Sequence, residues 1–137
     1  MDALHTDMHN YIVYHKAEKM GYPAIDIDKL AIYTKKPTVN IKGSRIWLIA
    51  GEGSPRKYYL RATFVIGSVE PSDKPLFKSR VIGTDGQLLD PMPPLNGESW
   101  LKSFVKEQGN FAFGFSRINN IVVVEALKSI LLANTLR

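Results

Sequence analysis

From Asn10 the chain alternates. Tyr11, Val13 and His15 fall on one side of an extended backbone and Ile12 and Tyr14 on the other, which predicts a strand over 10–16. Gly21 and Pro23 interrupt residues 17–25, where a loop or short helix is expected. A second strand is expected over 30–34, ended by Lys35, Lys36 and Pro37. The run 45–50, Arg-Ile-Trp-Leu-Ile-Ala, follows Gly43 and Ser44 and is rich in residues that fit a pleated sheet. After a turn segment over 51–55, a long stretch from 57 to 69 alternates again. Tyr58, Leu60, Ala62, Phe64 and Ile66 line one face; Tyr59, Arg61, Thr63 and Val65 line the other. Two strands joined by a short Gly-rich loop read as a hairpin.

A further strand is expected over 77–82, with Asp85-Gly86 as a turn dipeptide and 87–89 returning from it. The Pro-rich segment 91–94 reads as irregular. Asn96 is placed to cap a helix over 97–108 whose apolar face holds Trp100, Leu101, Phe104 and Val105, and Gly109 ends it. Over 110–118, Phe111, Phe113 and Phe115 alternate with Ala112, Gly114 and Ser116, as in a strand. Asn119 or Asn120 then caps a last helix over 121–134. No repeat, low-complexity tract or linker divides the chain, so residues 1–137 are expected to form a single domain. The element order predicts an α+β fold: a small, partly closed, mainly antiparallel β-barrel with two or three short helices.

At 137 residues folding buries roughly two-thirds of the unfolded surface, so no staple is required. The chain has no cysteine, which favours a reducing compartment and a cytoplasmic location. The polar residues 1–10 do not read as a signal peptide. No apolar run reaches the roughly 20 residues of a membrane span, so no membrane partner is expected. Eighteen Lys and Arg against 13 Asp and Glu leave a net charge of +5. That excess points to an anionic partner, nucleic acid first, although ordinary solubility is served by the same charge.

Catalytic patterns are missing. Without cysteine there is neither a thiol nucleophile nor a thiolate metal site. His5 and His9 have ligand spacing for a helix, but they sit at a terminus and no metal is expected. Gly51-Glu52-Gly53-Ser54 lacks the Lys and the following helix of a phosphate loop, and no nucleophile elbow occurs. The chain therefore reads as a binding module, not an enzyme, with no cofactor. Its aromatics cluster in the expected strands, interleaved with Lys42, Arg45, Arg56, Lys57, Arg61, Lys78 and Arg80. Most must be core. Two or three lining a pocket, with cations beside them, would suit an unstacked base and its phosphates.

The segment 43–53, Gly-Ser-Arg-Ile-Trp-Leu-Ile-Ala-Gly-Glu-Gly, followed by 58–66, Tyr-Tyr-Leu-Arg-Ala-Thr-Phe-Val-Ile, resembles the central hairpin of PUA-like domains of the EVE and ASCH kind. Tyr11-Ile12-Val13-Tyr14 is similar to the first strand of those domains. The resemblance covers about the first 70 residues; Ser44 stands where an acidic residue is often found. It implies a PUA-like domain similar to the N-terminal specificity domains of modification-dependent HNH restriction endonucleases, though no HNH segment is present. The implied function is the reading of a modified base in double-stranded DNA by flipping it into an aromatic pocket, in the setting of restriction-modification. Trp47 and Tyr59, with Tyr14 or Trp100, are the expected pocket rings. Arg45, Arg56, Lys57, Arg61 and Arg80 are the expected phosphate contacts. RNA binding by the same fold is the first alternative. A protein-interaction or homodimer module is the second, because the last helix is apolar over more than one face, and a small enzyme with a dispersed carboxylate site is the third.

Overall fold

Alternation becomes sheet where both faces of the extended chain find apolar partners. The computed structural model describes residues 9–16, 29–36, 38, 40–111 and 114–135. Strands β1 (Asn10–Lys16), β2 (Ala31–Thr34), β3 (Arg45–Glu52), β4 (Lys57–Pro71) and β5 (Ser79–Leu88) precede helix α1 (Leu101–Glu107). A 3-10 turn (Gly109–Phe111), strand β6 (Phe115–Arg117) and helix α2 (Ile121–Ala133) follow among the described residues. The six strands form one sheet, β2-β5-β4-β3-β1-β6, curled into a half-barrel. Every neighbouring pair is antiparallel except β1 with β3. The α+β class and the partly closed barrel thus match the sequence expectation. The loop expected over 17–25, His5 and Phe113 lie outside the described residues.

Two apolar clusters fill the two sides of the sheet. Val13, Ile32, Ile46, Leu48, Ala62, Phe64, Ile66, Val81 and Phe115, with Ile41, form one without any helix residue, as the inside of a curled sheet does. Ile12, Trp47, Ile49 and Leu60 face the other side, where Leu101 and Phe104 of α1 and Val123, Val124 and Leu127 of α2 cover them. Full burial of each such side chain contributes roughly 1.5–3 kcal/mol.

A bulge reassigns the faces of β4. Ala62 pairs with Leu48 but Leu60 pairs with Ile49, so Arg61 is the extra residue. One inserted residue inverts a period-two pattern. Tyr58 and Leu60 therefore serve the helix-side cluster, whereas Ala62, Phe64 and Ile66 serve the other. The single face expected for these five residues is corrected accordingly. Arg61 itself is 5% exposed. Its Nη1 donates to the Leu89 carbonyl at 2.9 Å, and the Leu89 N–H donates to the Arg61 carbonyl at 2.7 Å.

Three other expectations change. Asp85-Gly86 makes no turn; β5 runs straight through it, pairing Asp85 with Val65 and Gly86 with Phe64. A Cβ on Gly86 would collide with the Phe64 backbone, so this glycine permits close strand approach instead of reversal. Helix α1 starts at Leu101, later than expected, and Trp100 is its N-cap without a side-chain cap bond. Asn96 bonds β4 instead. Its Oδ1 accepts from the Tyr58 N–H at 2.6 Å and its Nδ2 donates to the Arg56 carbonyl at 3.3 Å. The strand expected over 110–118 is confined to β6, because Gly109, Asn110 and Phe111 turn with φ of 60°, 57° and 61°. Asn120, one of the two expected caps, accepts from the Val122 and Val123 N–H groups. Among the described residues no helix is long and apolar enough to cross a membrane.

Candidate functional site

Where β1, β4 and the 3-10 turn meet, Tyr14, Lys16, Arg56, Tyr58, Asn110, Phe111 and Gly114 line a cleft of about 320 Å³. That lies at the small end of ligand-sized pockets. Three of the lining side chains are aromatic, two are cationic and none is a carboxylate.

Each ring is placed by a local cause. Tyr14 alternates with Val13 on β1 and faces the helix side. A Cβ on Gly51 would overlap the Tyr14 ring, so the strand partner must lack a side chain there. The Tyr14 N–H donates to the Gly114 carbonyl at 3.0 Å, tying β1 to the chain beyond the 3-10 turn. Tyr58 lies at the start of β4, where Asn96 holds the backbone on either side of Lys57 through the Arg56 carbonyl and the Tyr58 N–H. Phe111 sits in left-handed backbone, which costs a bulky L-residue about 1–2 kcal/mol. Burial of its ring, 5% exposed and packed edge-on against Phe104, offsets that cost.

The rings form a connected platform. Tyr14 and Phe111 stack with centroids 4.9 Å apart and planes 25° from parallel. Tyr58 meets Phe111 edge-on at 5.7 Å and Tyr14 at 6.0 Å. Such aromatic pairs each add about 0.5–1.5 kcal/mol beyond area burial. Because Tyr14 and Phe111 already touch, a flat ligand has no slot between them. The ring surface left accessible in the cleft is that of the half-buried Tyr14 and Tyr58.

The four rings expected to form one pocket are spread over four places. Tyr14 is in the cleft. Trp47 is 0% exposed, within the helix-side core, and its Nε1–H donates to Asn10 Oδ1 at 2.9 Å. Tyr59 points away from Tyr58, as successive strand residues do, and bridges Pro94 across the sheet edge. Trp100 lines a separate groove of about 730 Å³ between Pro91–Pro94 and α2. That groove holds one carboxylate, Glu98, and no cation, so it suits a polyanion poorly.

The expected cations are likewise divided. Arg56 lines the cleft, and exposed Lys57 follows it in β4. Arg61 is buried at the bulge. Arg45 lies at the far end of β3, six residues from Gly51 and so roughly 20 Å away. There its Nη1 donates to Thr63 Oγ1 at 3.1 Å, with the guanidinium 5.9 Å from the Trp47 ring centroid. Arg80 pairs with Glu70 at 3.2 Å and lies over Tyr33. Sequence reasoning omitted Tyr58, Phe111 and Lys16 from the pocket. The phase inversion at Arg61 hid Tyr58, and the left-handed turn hid Phe111. Among the described residues no group of three His, Asp or Glu is placed to hold a metal ion. Compared with protein-family models, curated proteins and solved structures, the chain matches none.

Proposed function

We propose that this chain is a nucleic-acid-binding domain of PUA-like kind that takes up an unstacked base, modified and drawn from duplex DNA, at the Tyr14–Tyr58–Phe111 cleft. The single observation that carries this reading is the joining of a three-ring platform to Lys16 and Arg56, with no carboxylate among the lining residues. Every base has a π-face, and stacking on an aromatic is worth about 1–3 kcal/mol. Two cations at the rim meet the phosphates that flank an extruded nucleotide. Extrusion costs a few kcal/mol, least for a base already weakened in its stack, which is one source of selectivity. The function is binding, as the specificity module of a restriction system. RNA is the second reading, since the platform is indifferent to the sugar.

The test is binding of the chain to matched short probes at one fixed salt concentration: plain duplex, duplexes carrying 5-methylcytosine, 5-hydroxymethylcytosine, N6-methyladenine or phosphorothioate, and single-stranded RNA. At least tenfold tighter binding to one modified duplex is the expected result. Preference for the RNA replaces it with the second reading. Equal, salt-sensitive binding to all probes reduces the claim to a basic surface and overturns base recognition.

A further inference from the structure

Helix α2 carries three of the four large hydrophobic side chains that stand exposed among the described residues: Ile121 at 67%, Val122 at 64% and Leu132 at 57%. Its inner face is committed to the core through Val123, Val124 and Leu127. On the outer face Ile121, Glu125, Lys128 and Leu132 follow one another at spacings of four, three and four. At 3.6 residues per turn that spacing makes one continuous stripe along the helix. The stripe is apolar at both ends and charged in the middle, with Glu125 and Lys128 side chains 63% and 55% exposed.

We infer that this stripe is a self-complementary surface on which a second copy of the chain docks, α2 against α2, antiparallel about a two-fold axis. The axis passes between Ala126 and Leu127. Rotation about that point brings Ile121 against the partner's Leu132, Glu125 against the partner's Lys128, and each reciprocal pair likewise. A two-fold interface needs this property: the same patch must complement itself. A stripe with two like charges in the middle, or with one apolar end, would not meet the condition. Within one chain Lys128 Nζ lies 3.3 Å from Glu125 Oε2, an exposed and therefore weak pair that exchanges readily for pairing across the axis. The 13-residue helix is about 20 Å long, so the contact falls below the roughly 1,200 Å² of a standard stable interface. Association on the order of 10–100 μM is expected, from contact at the weak end of the range.

Sedimentation of the chain from about 5 to 500 μM tests this, with circular dichroism to establish that each variant is folded. The wild type is expected to pass from monomer to dimer across that range. Glu125→Lys and Lys128→Glu each place like charges across the axis and should each weaken association at least tenfold. An equimolar mixture of the two should associate as the wild type does, because every cross-axis pair is then opposite in sign. Intrachain pairing cannot produce that recovery. A wild type that stays monomeric at 500 μM overturns the proposal and leaves the stripe to a different protein or domain. Variants that dimerise as the wild type, or a mixture that stays monomeric, overturn it as well.

Discussion

Gly51 stands in β3 beside Tyr14, and its missing Cβ leaves room for the phenol ring. Gly51→Ala forces either the ring or the strand to move. A loss of about 1–3 kcal/mol in denaturant unfolding is expected, as for other overpacked sites. Probe binding should fall with it, because the ring leaves the platform. Trp47 provides the converse case. Its indole is fully buried and its N–H is held by Asn10. Trp47→Ala should cost about 3–5 kcal/mol of stability by cavity formation while leaving the relative affinities of the folded fraction for different probes unchanged. Loss of selectivity without loss of stability would instead return Trp47 to the binding surface. Side chains of one type thus divide between support and contact according to exposure alone.

At the scale of elements, α2 depends on its first turn. Asn120 Oδ1 accepts from the Val122 and Val123 N–H groups, so Asn120→Ala should destabilise the chain by about 1 kcal/mol, measured as a shift of the urea midpoint with unchanged slope. An unshifted midpoint would mean that packing of Val123, Val124 and Leu127 alone sets the helix start. This cap was legible in the sequence, as were β1, β3 and most of β4, because local alternation and a single Asn decide them. What was not legible depends on partners distant in the chain. Asp85-Gly86 turns in isolation but is extended when β4 pairs with it and Phe64 needs the space above Gly86. Asn96 looks like a cap until Tyr58 and Arg56 are beside it. The inserted Arg61 inverts the faces of β4, and no local pattern announces it, because Ala62, Phe64 and Ile66 are as apolar as the residues they were grouped with. The candidate cleft suffered most, since its rings come from three separate segments and two of them depend on these irregularities.

At the scale of the whole molecule, the cations expected to meet phosphates do not share one face. Arg61 is internal, Arg80 is engaged by Glu70, and Arg45 is engaged by Thr63 at the far end of β3. Lys16 and Arg56 line the cleft. Each phosphate neutralised on duplex DNA contributes about 0.9 to the slope of log affinity against log salt. Replacing both Lys16 and Arg56 with Gln should therefore lower that slope by about 1.8, whereas replacing Arg80 should leave it unchanged. The measurement with the most direct bearing on the cleft is the ratio of affinities for the preferred modified duplex and its unmodified twin, taken at one salt concentration for the wild type and for folded Tyr58→Ala. The ratio should be at least tenfold in the wild type and fall to about one in the variant, the scale of one lost stacking contact. A ratio that survives the loss of Tyr58 would contradict base recognition at this platform.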